Sequence, residues 1–391
     1  MEEVCSRVQG NDGRMDLPTL TISAANGWMN QEDRFSGNIA GKEQKNYTLL
    51  HKGELSYNHG NSKLAKYGTV FSLQSYKEAL VPRVYHSFKA EKGSPDFIEY
   101  YFATKLPDRE LGKLISSGAR MDGLLNIGYN EFMGIQMLFP SVEEQKQISN
   151  YFRSLEHLIT LHQQKITLLT KLKKAMLEKM FPKKGTVIPE FRFNGFANAW
   201  EQRKLGDIVE RVTRKNQNIV SDLPLTISAQ YGLIDQNEFF DKRVASKDVS
   251  GYYLIYNGEF AYNKSISNDA PWGAIKRLDR YENGVLSTLY IVFKIKNEEK
   301  TNSDFIATYY DTNIWHKDIK AIAAEGARNH GLLNITPADF FETKLKFPKN
   351  VLEQQKIGIY FGNIDHLITL HQRKLDMLKK LKSACLNEMF I

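Results

Sequence analysis

The most regular pattern in the sequence is a stripe of apolar positions within residues 144–181. No Pro or Gly interrupts this stretch, and strong helix formers such as Leu, Lys, Glu and Gln dominate it. The apolar positions follow one another in alternating steps of four and three, which is the spacing of a coiled-coil seam. The seam positions are Ile148, Phe152, Leu155, Ile159, His162, Ile166, Leu169, Lys173, Met176 and Met180. The pattern predicts one helix of roughly 55 Å.

Residues 353–390 repeat this stripe, including the word HLITLHQ, so the chain is a tandem duplication. The second seam consists of Ile357, Phe361, Ile364, Ile368, His371, Leu375, Leu378, Lys382, Cys385 and Met389. Because a one-sided apolar stripe on an isolated helix is unstable in water, we expect the two helices to bury their seams against each other. A duplicated unit that packs on itself about a pseudo-twofold axis favours an antiparallel pair. The alternative is that each helix packs only on its own domain.

The regions ahead of the two helices share shorter words that predict strands and short helices. LTISA occurs at 20–24 and 225–229, and GARMDGLLNI at 118–127 corresponds to GARNHGLLNI at 326–335. Their apolar and β-branched runs predict buried strands, and the fold class predicted for each half is α/β (α+β) with one long helix after it. The predicted divisions are a first globular domain that is short at its N-terminus, a first long helix, a connector, a second globular domain and a second long helix. Their ranges are 1–141, 142–181, 182–206, 207–349 and 350–391.

Composition narrows the functional classes. The chain has 391 residues and a net charge of +8, which favours a polyanionic partner. No apolar run approaches the ~20 residues of a membrane span, so no membrane partner is expected. The two cysteines, Cys5 and Cys385, suggest neither a disulfide framework nor a metal cluster, and a reducing cytoplasmic location is predicted.

The candidate catalytic and metal-binding motifs lack the residues or the spacing that such sites require. The run GNIAGK at 37–42 is one residue short of phosphate-loop spacing and lacks the following Ser or Thr. His157 and His162 are five apart on a helix and therefore cannot share one face as ligands of one metal. We expect no catalytic residue and no metal site. The seam histidines His162 and His371 are predicted to fix the register of the coiled coil.

The loops that differ between the two halves carry basic, amide and aromatic side chains. Lys and Arg neutralise phosphates, and Arg, Asn and Ser hydrogen-bond the edges of bases, so these loops suit DNA recognition. The alternative is that exposed basic loops are merely solvated, as in many proteins. The candidate DNA-binding residues are Asn58, Lys63, Lys66, Tyr67, Arg120, Asn263, Lys264, Ser265, Trp272, Lys276, Arg277, Arg328 and His330.

Together these residues resemble the specificity (S) subunit of type I restriction–modification systems, an HsdS-like protein. The resemblance rests on PEFRFNGFANAWEQRKLGDI at 189–208, LTISAQYGLI at 225–234, WGAIKRLDRYENGVLSTLY at 272–290 and the duplicated helices. It implies two target-recognition domains that each read half of a split site in double-stranded DNA. It also implies an antiparallel helix pair that spaces them and docks two methyltransferase (M) subunits, to which restriction (R) subunits add.

The resemblance implies a chain without enzyme activity of its own. S-adenosylmethionine, ATP and magnesium are then expected on partner subunits only, and no cofactor on this chain. Family members commonly carry a segment like 189–207 ahead of the first recognition domain, so the first domain here is expected to be either naturally short or truncated. A helix of roughly 55 Å spans on the order of 16 base pairs of B-DNA, which predicts an unread gap between half-sites. The competing hypothesis is a coiled-coil scaffold whose globular domains bind protein.

Overall fold

The computed structural model describes residues 1–35, 37, 41–115, 123–228, 231–268, 270–323 and 331–390. The chain divides into two compact units. Unit 1 comprises Met1–Gln163 and Gln372–Ile391, and unit 2 comprises Gln164–His371. Each unit therefore combines one globular domain with segments of both long helices.

The first half of the chain alternates short strands with short helices and then forms one long helix. Its strands are β1 (Cys5–Arg7), β2 (Leu20–Ser23), β3 (Gly27–Asn30), β4 (Thr48–His51), β5 (Leu55–Asn58), β6 (Thr69–Ser72), β7 (Glu78–Val81) and β8 (His86–Ala90). Its helices are α1 (Gln31–Phe35), α2 (Pro95–Ala103), α3 (Asp108–Leu114), α4 (Tyr129–Met133) and α5 (Val142–Met180), with a 3₁₀ turn at Gly41–Asn46.

The second half repeats this order and adds a strand and a short helix at its start and a strand before its long helix. Its strands are β9 (Glu201–Lys204), β10 (Val209–Val212), β11 (Leu225–Ser228), β12 (Gly232–Asp235), β13 (Tyr253–Tyr256), β14 (Phe260–Asn263), β15 (Ala274–Arg277), β16 (Asn283–Leu286), β17 (Ile291–Ile295) and β18 (Lys344–Phe347). Its helices are α6 (Leu205–Ile208), α7 (Gln236–Phe240), α8 (Ser303–Tyr310), α9 (His316–Ile322), α10 (Pro337–Phe341) and α11 (Val351–Glu388).

Each globular domain is built on a four-stranded antiparallel sheet. The strand order is β1-β8-β5-β6 in unit 1 and β10-β17-β14-β15 in unit 2, which is the same topology. Two-stranded ribbons complete the domains, β2-β3 and β4-β7 in unit 1 and β11-β12, β13-β16 and β18-β9 in unit 2. The apolar faces of the central sheets are buried, as at Tyr57 and Phe88 in unit 1 and Tyr262 and Phe293 in unit 2. The predicted mixed helix and strand fold is confirmed.

In unit 1 the two long helices run antiparallel. The ring of Phe152 in α5 packs against that of Phe390, with ring centroids 5.9 Å apart. One turn later in α5, Glu156 binds Lys382. The Lys382 Nζ to Glu156 Oε1 distance is 2.6 Å. Because the partner number falls as the α5 number rises, the predicted antiparallel pairing is confirmed for this unit.

In unit 2 the two helices are also antiparallel, but here the C-terminal part of α5 packs against the N-terminal part of α11. Lys173 of α5 binds Asp365 of α11, with 2.7 Å between Nζ and Oδ1, and Phe181 lies 6.3 Å from Phe361 between ring centroids. Lys173 also binds Asp311 at 2.7 Å, so its ammonium is neutralised where it enters the helix interface. An unpaired charge there would carry a large desolvation cost.

The predicted seams match the buried sides of the helices except at one end. Ile148, Phe152, Ile357 and Phe361 are buried, and His162 and His371 are half-buried. Met389, predicted as the last seam position, is 39% exposed, and its neighbour Phe390 is buried instead. That prediction was wrong: Met389 N still donates to the Cys385 carbonyl at 2.9 Å, but the ring that packs against Phe97 and Phe152 is that of Phe390. The register role of the two histidines stays a prediction.

None of the helices in the described part of the chain is both long and apolar enough to cross a membrane. In the same described ranges, no group of three or more His, Cys, Asp or Glu side chains is arranged to hold a metal ion.

Candidate nucleic-acid interface

The β5–β6 hairpin of unit 1 carries the divergent loop 59–68, whose shape is set at its base. Gly68 has φ of +82°, and a Cβ built on it would lie 2.5 Å from the Asn58 carbonyl oxygen. Only glycine fits this position without a shift of the backbone. The Tyr57 hydroxyl donates a hydrogen bond of 2.6 Å to the Tyr67 carbonyl. Burial raises the pKa of Tyr57, so the phenol keeps the proton that this bond needs.

The β14–β15 hairpin of unit 2 repeats this base with a different loop, 264–273. Gly273 has φ of +76°, and a Cβ there would collide with the Asn263 carbonyl. The Tyr262 hydroxyl donates to the Trp272 carbonyl at 2.8 Å. Two loops of unlike sequence therefore stand on one common scaffold.

A second segment closes on each hairpin loop. In unit 1 Leu125 N donates to the His59 carbonyl at 2.8 Å, and Asn61 N donates to the Gly123 carbonyl at 3.1 Å. In unit 2 Leu333 N donates to the Lys264 carbonyl at 2.9 Å, and Ile266 N donates to the Gly331 carbonyl at 2.8 Å. These segments end the repeated words that carry three candidate residues, Arg120, Arg328 and His330, which themselves lie outside the described residues.

In each unit the side chain of the first loop residue contacts the backbone of the closing segment. His59 Nδ1 lies 2.7 Å from the Leu125 carbonyl oxygen, and its Nε2 lies 2.8 Å from that of Val84. Both ring nitrogens therefore lie within hydrogen-bond distance of a backbone carbonyl oxygen. At the equivalent position, 205 residues later, Lys264 Nζ donates to the Ile335 carbonyl at 3.3 Å.

His59 was missing from the residues predicted from the sequence. The available signal was its alignment with Lys264, which opens the second loop at the same repeat position. Its importance is visible only in the fold, because its two acceptors lie 25 and 66 positions away in the chain.

The predicted residues of unit 1 divide into exposed and structural ones. Lys63 and Lys66 are exposed on the loop, and the Lys66 ammonium lies 5.2 Å from the centre of the Tyr67 ring. Asn58 shapes the turn, because its Oδ1 accepts from Gly60 N at 3.1 Å and its Nδ2 donates to the Ile22 carbonyl at 3.2 Å. The side chains of Lys63 and Lys66 are therefore the ones placed to meet a ligand.

The predicted residues of unit 2 divide in the same way. Ser265 is exposed on the loop, and Asn263 Oδ1 accepts from Ser265 N at 3.0 Å, which forms the same turn as Asn58. Trp272 is half-buried and packs against the core. The loop residues of the two units thus follow one pattern.

Lys276 and Arg277 are engaged within the protein. Lys276 Nζ lies 2.6 Å from Asp311 Oδ1. Arg277 lies 2.6 Å from Asp279 and 2.8 Å from Asp304. A contact of either side chain with DNA stays a prediction and would have to compete with these ion pairs.

His86 stacks on His59, with ring centroids 4.9 Å apart, and its Nε2 lies 2.8 Å from the Ile127 carbonyl oxygen. Burial lowers the pKa of His86 to about 4, so the ring is neutral at physiological pH. Neutral His86 then donates through Nε2 and supports the same segment that His59 holds.

We expect His86 to make unit 1 sensitive to acid. Its pKa is lower in the folded protein than the usual 6.5, so the unfolded chain binds more protons between pH 6.5 and about 4. Stability contributed by this residue is therefore complete above pH 6.5 and is lost as the pH falls through that window. The free energy of unfolding should decrease by roughly 1 to 2 kcal/mol between pH 7 and pH 5 from this group.

The matched control is His86→Ile, because Ile291 occupies the equivalent position of unit 2. Denaturant unfolding of both proteins at pH 7 and pH 5 measures the difference. Equal pH dependence in the wild type and the variant would contradict the assignment to His86.

A second surface lies on the long helices, where large apolar side chains remain between 38% and 63% exposed. In unit 1 they are Leu158, Leu161, Met377 and Leu381. In unit 2 they are Leu168, Leu172, Leu367 and Leu370. Each precedes a seam position by one residue, so these side chains flank the seam. The two sets are equivalent under the 209-residue repeat, and clustered exposed apolar residues mark interaction sites.

No protein-family model matches the chain, and no curated protein matches it. Among solved structures, it is similar to the type I restriction–modification S subunit from M. genitalium. The TM-score is 0.63 at 13% identity, over 100% of this chain and 94% of that one. This chain has the fold of a type I restriction–modification specificity subunit. The resemblance seen in the sequence is thereby confirmed at the level of the fold.

Two further solved structures are similar over a comparable length. The HsdS subunit from Thermoanaerobacter tengcongensis has a TM-score of 0.42 and 13% identity, over 100% of this chain and 95% of that one. A chain described in a study of complex assembly and conformational transition of the type I R-M system has a TM-score of 0.44 and 12% identity, over 99% and 95%.

Proposed function

We propose that this chain is the DNA-recognition subunit of a type I restriction–modification complex and has no catalytic activity itself. The observation that carries the proposal is the pair of hairpin loops, 59–68 and 264–273. They share one scaffold and the same contact between the first loop side chain and the closing segment, yet their sequences differ. Two such loops are suited to the recognition of two different DNA half-sites.

The chemistry of the loops fits DNA. Lys63 and Lys66 are exposed and can neutralise phosphates, whereas Ser265 can hydrogen-bond a base edge. A hairpin of two strands is narrow enough to enter the major groove of B-DNA. In this proposal the loop of each unit reads one half of a bipartite site.

The long helices supply the spacing in this proposal. Helix α5 has 39 residues, which corresponds to roughly 58 Å. A rigid element of that length supports a fixed gap of unread base pairs between the half-sites. The antiparallel pairing found in each unit supports the same role.

The exposed apolar sets on the helices support docking of two methyltransferase subunits. Leu158, Leu161, Leu168 and Leu172 follow each other in steps of three, seven and four, the same heptad spacing as the seam. That spacing suits packing against further helices. Because the sets of the two units are equivalent, they would take two copies of the same partner, and the restriction subunits would join the complex that results.

The test is to express the chain with its methyltransferase partner and map methylated adenines across a genome. We expect a split, asymmetric motif. Replacing loop residues 61–66 should change only one half of the motif, and replacing 266–270 should change only the other. A continuous motif, or a change in both halves from either replacement, would contradict the proposal.

A further inference from the structure

Unit 2 contains a cleft of about 1070 Å³ that none of the functions above uses. Its walls are the C-terminal part of α5, the base of the β14–β15 hairpin and the turn 311–317 between α8 and α9. We call it the lysine cleft, because Lys174, Lys184, Lys317 and Lys346 line it together with three other lysines. It lies beside the proposed reading loop, since Ala270 and Gly273 of that loop also line it.

The cleft carries an excess of positive charge. Seven lysines line it against three carboxylates, which belong to Glu178, Asp311 and Asp365. Asp311 and Asp365 are neutralised on the floor, because Lys173 binds both and Lys276 binds Asp311.

The rim of the cleft holds the charges that are not used inside the protein. In the part of the chain that the structure describes, Lys174, Lys184 and Lys317 make no ion pair with a carboxylate, and all three are exposed. Lys183 is paired with Glu190 at 2.8 Å, and Lys346 donates to the Thr186 carbonyl at 2.5 Å. Within the described residues, three rim ammonium groups therefore line the cleft without a direct ion pair, and Asp318 acts on Lys317 only from a longer distance.

The walls favour a polyanionic chain over a small enclosed ligand. The cleft is open to solvent, and apolar side chains such as Leu177, Ile314 and Ile368 line it between the lysines. Lysine ammonium groups act as point charges and do not select a planar group as arginine does. The chemistry matches repeated phosphodiesters bound without regard to sequence.

We propose that the lysine cleft binds the phosphodiester backbone of the DNA strand that passes the β14–β15 hairpin. The inference rests on the proposed DNA-recognition function and adds a sequence-independent contact to it. Lys174, Lys184 and Lys317 each neutralise a phosphate, whereas the loop reads the bases. At the equivalent positions of unit 1, Arg109 replaces Lys317 and Ser383 replaces Lys174, so the charge at these positions is repeated only in part.

The experiment compares two triple variants of the full chain assembled with its methyltransferase subunits. One carries Lys174→Gln, Lys184→Gln and Lys317→Gln. The control carries Lys300→Gln, Lys349→Gln and Lys356→Gln, which removes the same charge from exposed positions of unit 2 outside the cleft. Fluorescence anisotropy measures binding of a 30-base-pair duplex with the mapped motif, and of a scrambled duplex, from about 50 to 200 mM salt.

The cleft variant should bind both duplexes roughly ten- to a hundredfold more weakly at low salt, with the ratio between them unchanged. The slope of log K against log salt should become shallower by about 2 to 3, because each lost phosphate contact removes roughly 0.9. The control variant should keep most of the wild-type slope. An unchanged slope in the cleft variant would overturn the inference, as would a selective loss for the motif duplex, which would mean that the lysines read bases.

A titration with inorganic pyrophosphate tests whether the cleft binds free phosphate anions rather than the DNA backbone. Tight pyrophosphate binding that the cleft variant loses, together with an unchanged DNA slope, would identify a site for free anions and overturn the inference. If the wild type prefers the motif duplex but the wild type and the cleft variant have the same salt slope, the proposed function stands and the inference about the cleft fails. A cleft-dependent slope without any preference for the motif would support the cleft and contradict the proposed function.

Discussion

Replacing Gly273 with Ala should abolish recognition of one half-site and destabilise unit 2. The new Cβ would collide with the Asn263 carbonyl and lie 2.8 Å from the Tyr262 ring, at a residue with φ of +76°. The left-handed backbone alone costs a residue with a Cβ about 1 to 2 kcal/mol, and the collision adds to it. We expect a total loss of roughly 3 kcal/mol or more in the free energy of unfolding. Denaturant unfolding and methylation mapping measure the two effects.

Gly258→Ala separates backbone strain from the collision. Gly258 has φ of +83°, but nothing lies within 4 Å of a Cβ built there. Its alanine variant should lose only about 1 to 2 kcal/mol and keep the motif. In unit 1, Gly68→Ala and its control Gly53→Ala form the same pair and should affect the other half-site. Equal losses in Gly273→Ala and Gly258→Ala would show that the close approach to Asn263 does not matter.

Replacing the four exposed apolar residues of one unit with Gln should remove one methyltransferase subunit from the assembly. For unit 2 these are Leu168, Leu172, Leu367 and Leu370. Burying a side chain of this size contributes about 1 to 2 kcal/mol, so four losses should weaken docking by more than a thousandfold. Gln is a good helix former, so the helices themselves should persist. Native mass spectrometry should show one methyltransferase subunit per chain where the wild type has two.

The unit 1 variant, with Leu158, Leu161, Met377 and Leu381 replaced, should lose the other copy. The combined variant should bind none. The control replaces Val220 and Leu289, which are similarly exposed but lie outside the long helices. Retention of two copies by both single-unit variants would exclude these surfaces as docking sites.

The elements with strong local periodicity were predictable from the sequence. The seam of α5 and α11 follows from a 3.5-residue repeat that each helix displays by itself, and the duplication follows from words such as HLITLHQ. Strands such as Leu20–Ser23 and Leu225–Ser228 fall within the predicted runs. At Met389, the last position of the second predicted seam, the prediction was wrong.

The candidate site was predictable only in outline. The divergent loops were identified from the comparison of the two halves, but the roles of their residues were not. Lys63 and Lys276 look alike in sequence, yet one is exposed and the other binds Asp311, 35 residues further on. A buried carboxylate of that kind leaves no mark in the neighbouring sequence.

By itself, the sequence determined the two long helices, their apolar seams, the repeated strand order and the position of the unlike loops. The helices and seams depend on spacing within about ten residues, whereas the repeated order and the unlike loops follow from words that the two halves share, and the chain shows both directly. Only the tertiary structure decided how each loop is held. The contact between His59 and Leu125, the ion pairs of Lys173 and the lysine cleft all join side chains far apart in the chain. Long-range packing brings them together, and no local pattern specifies it.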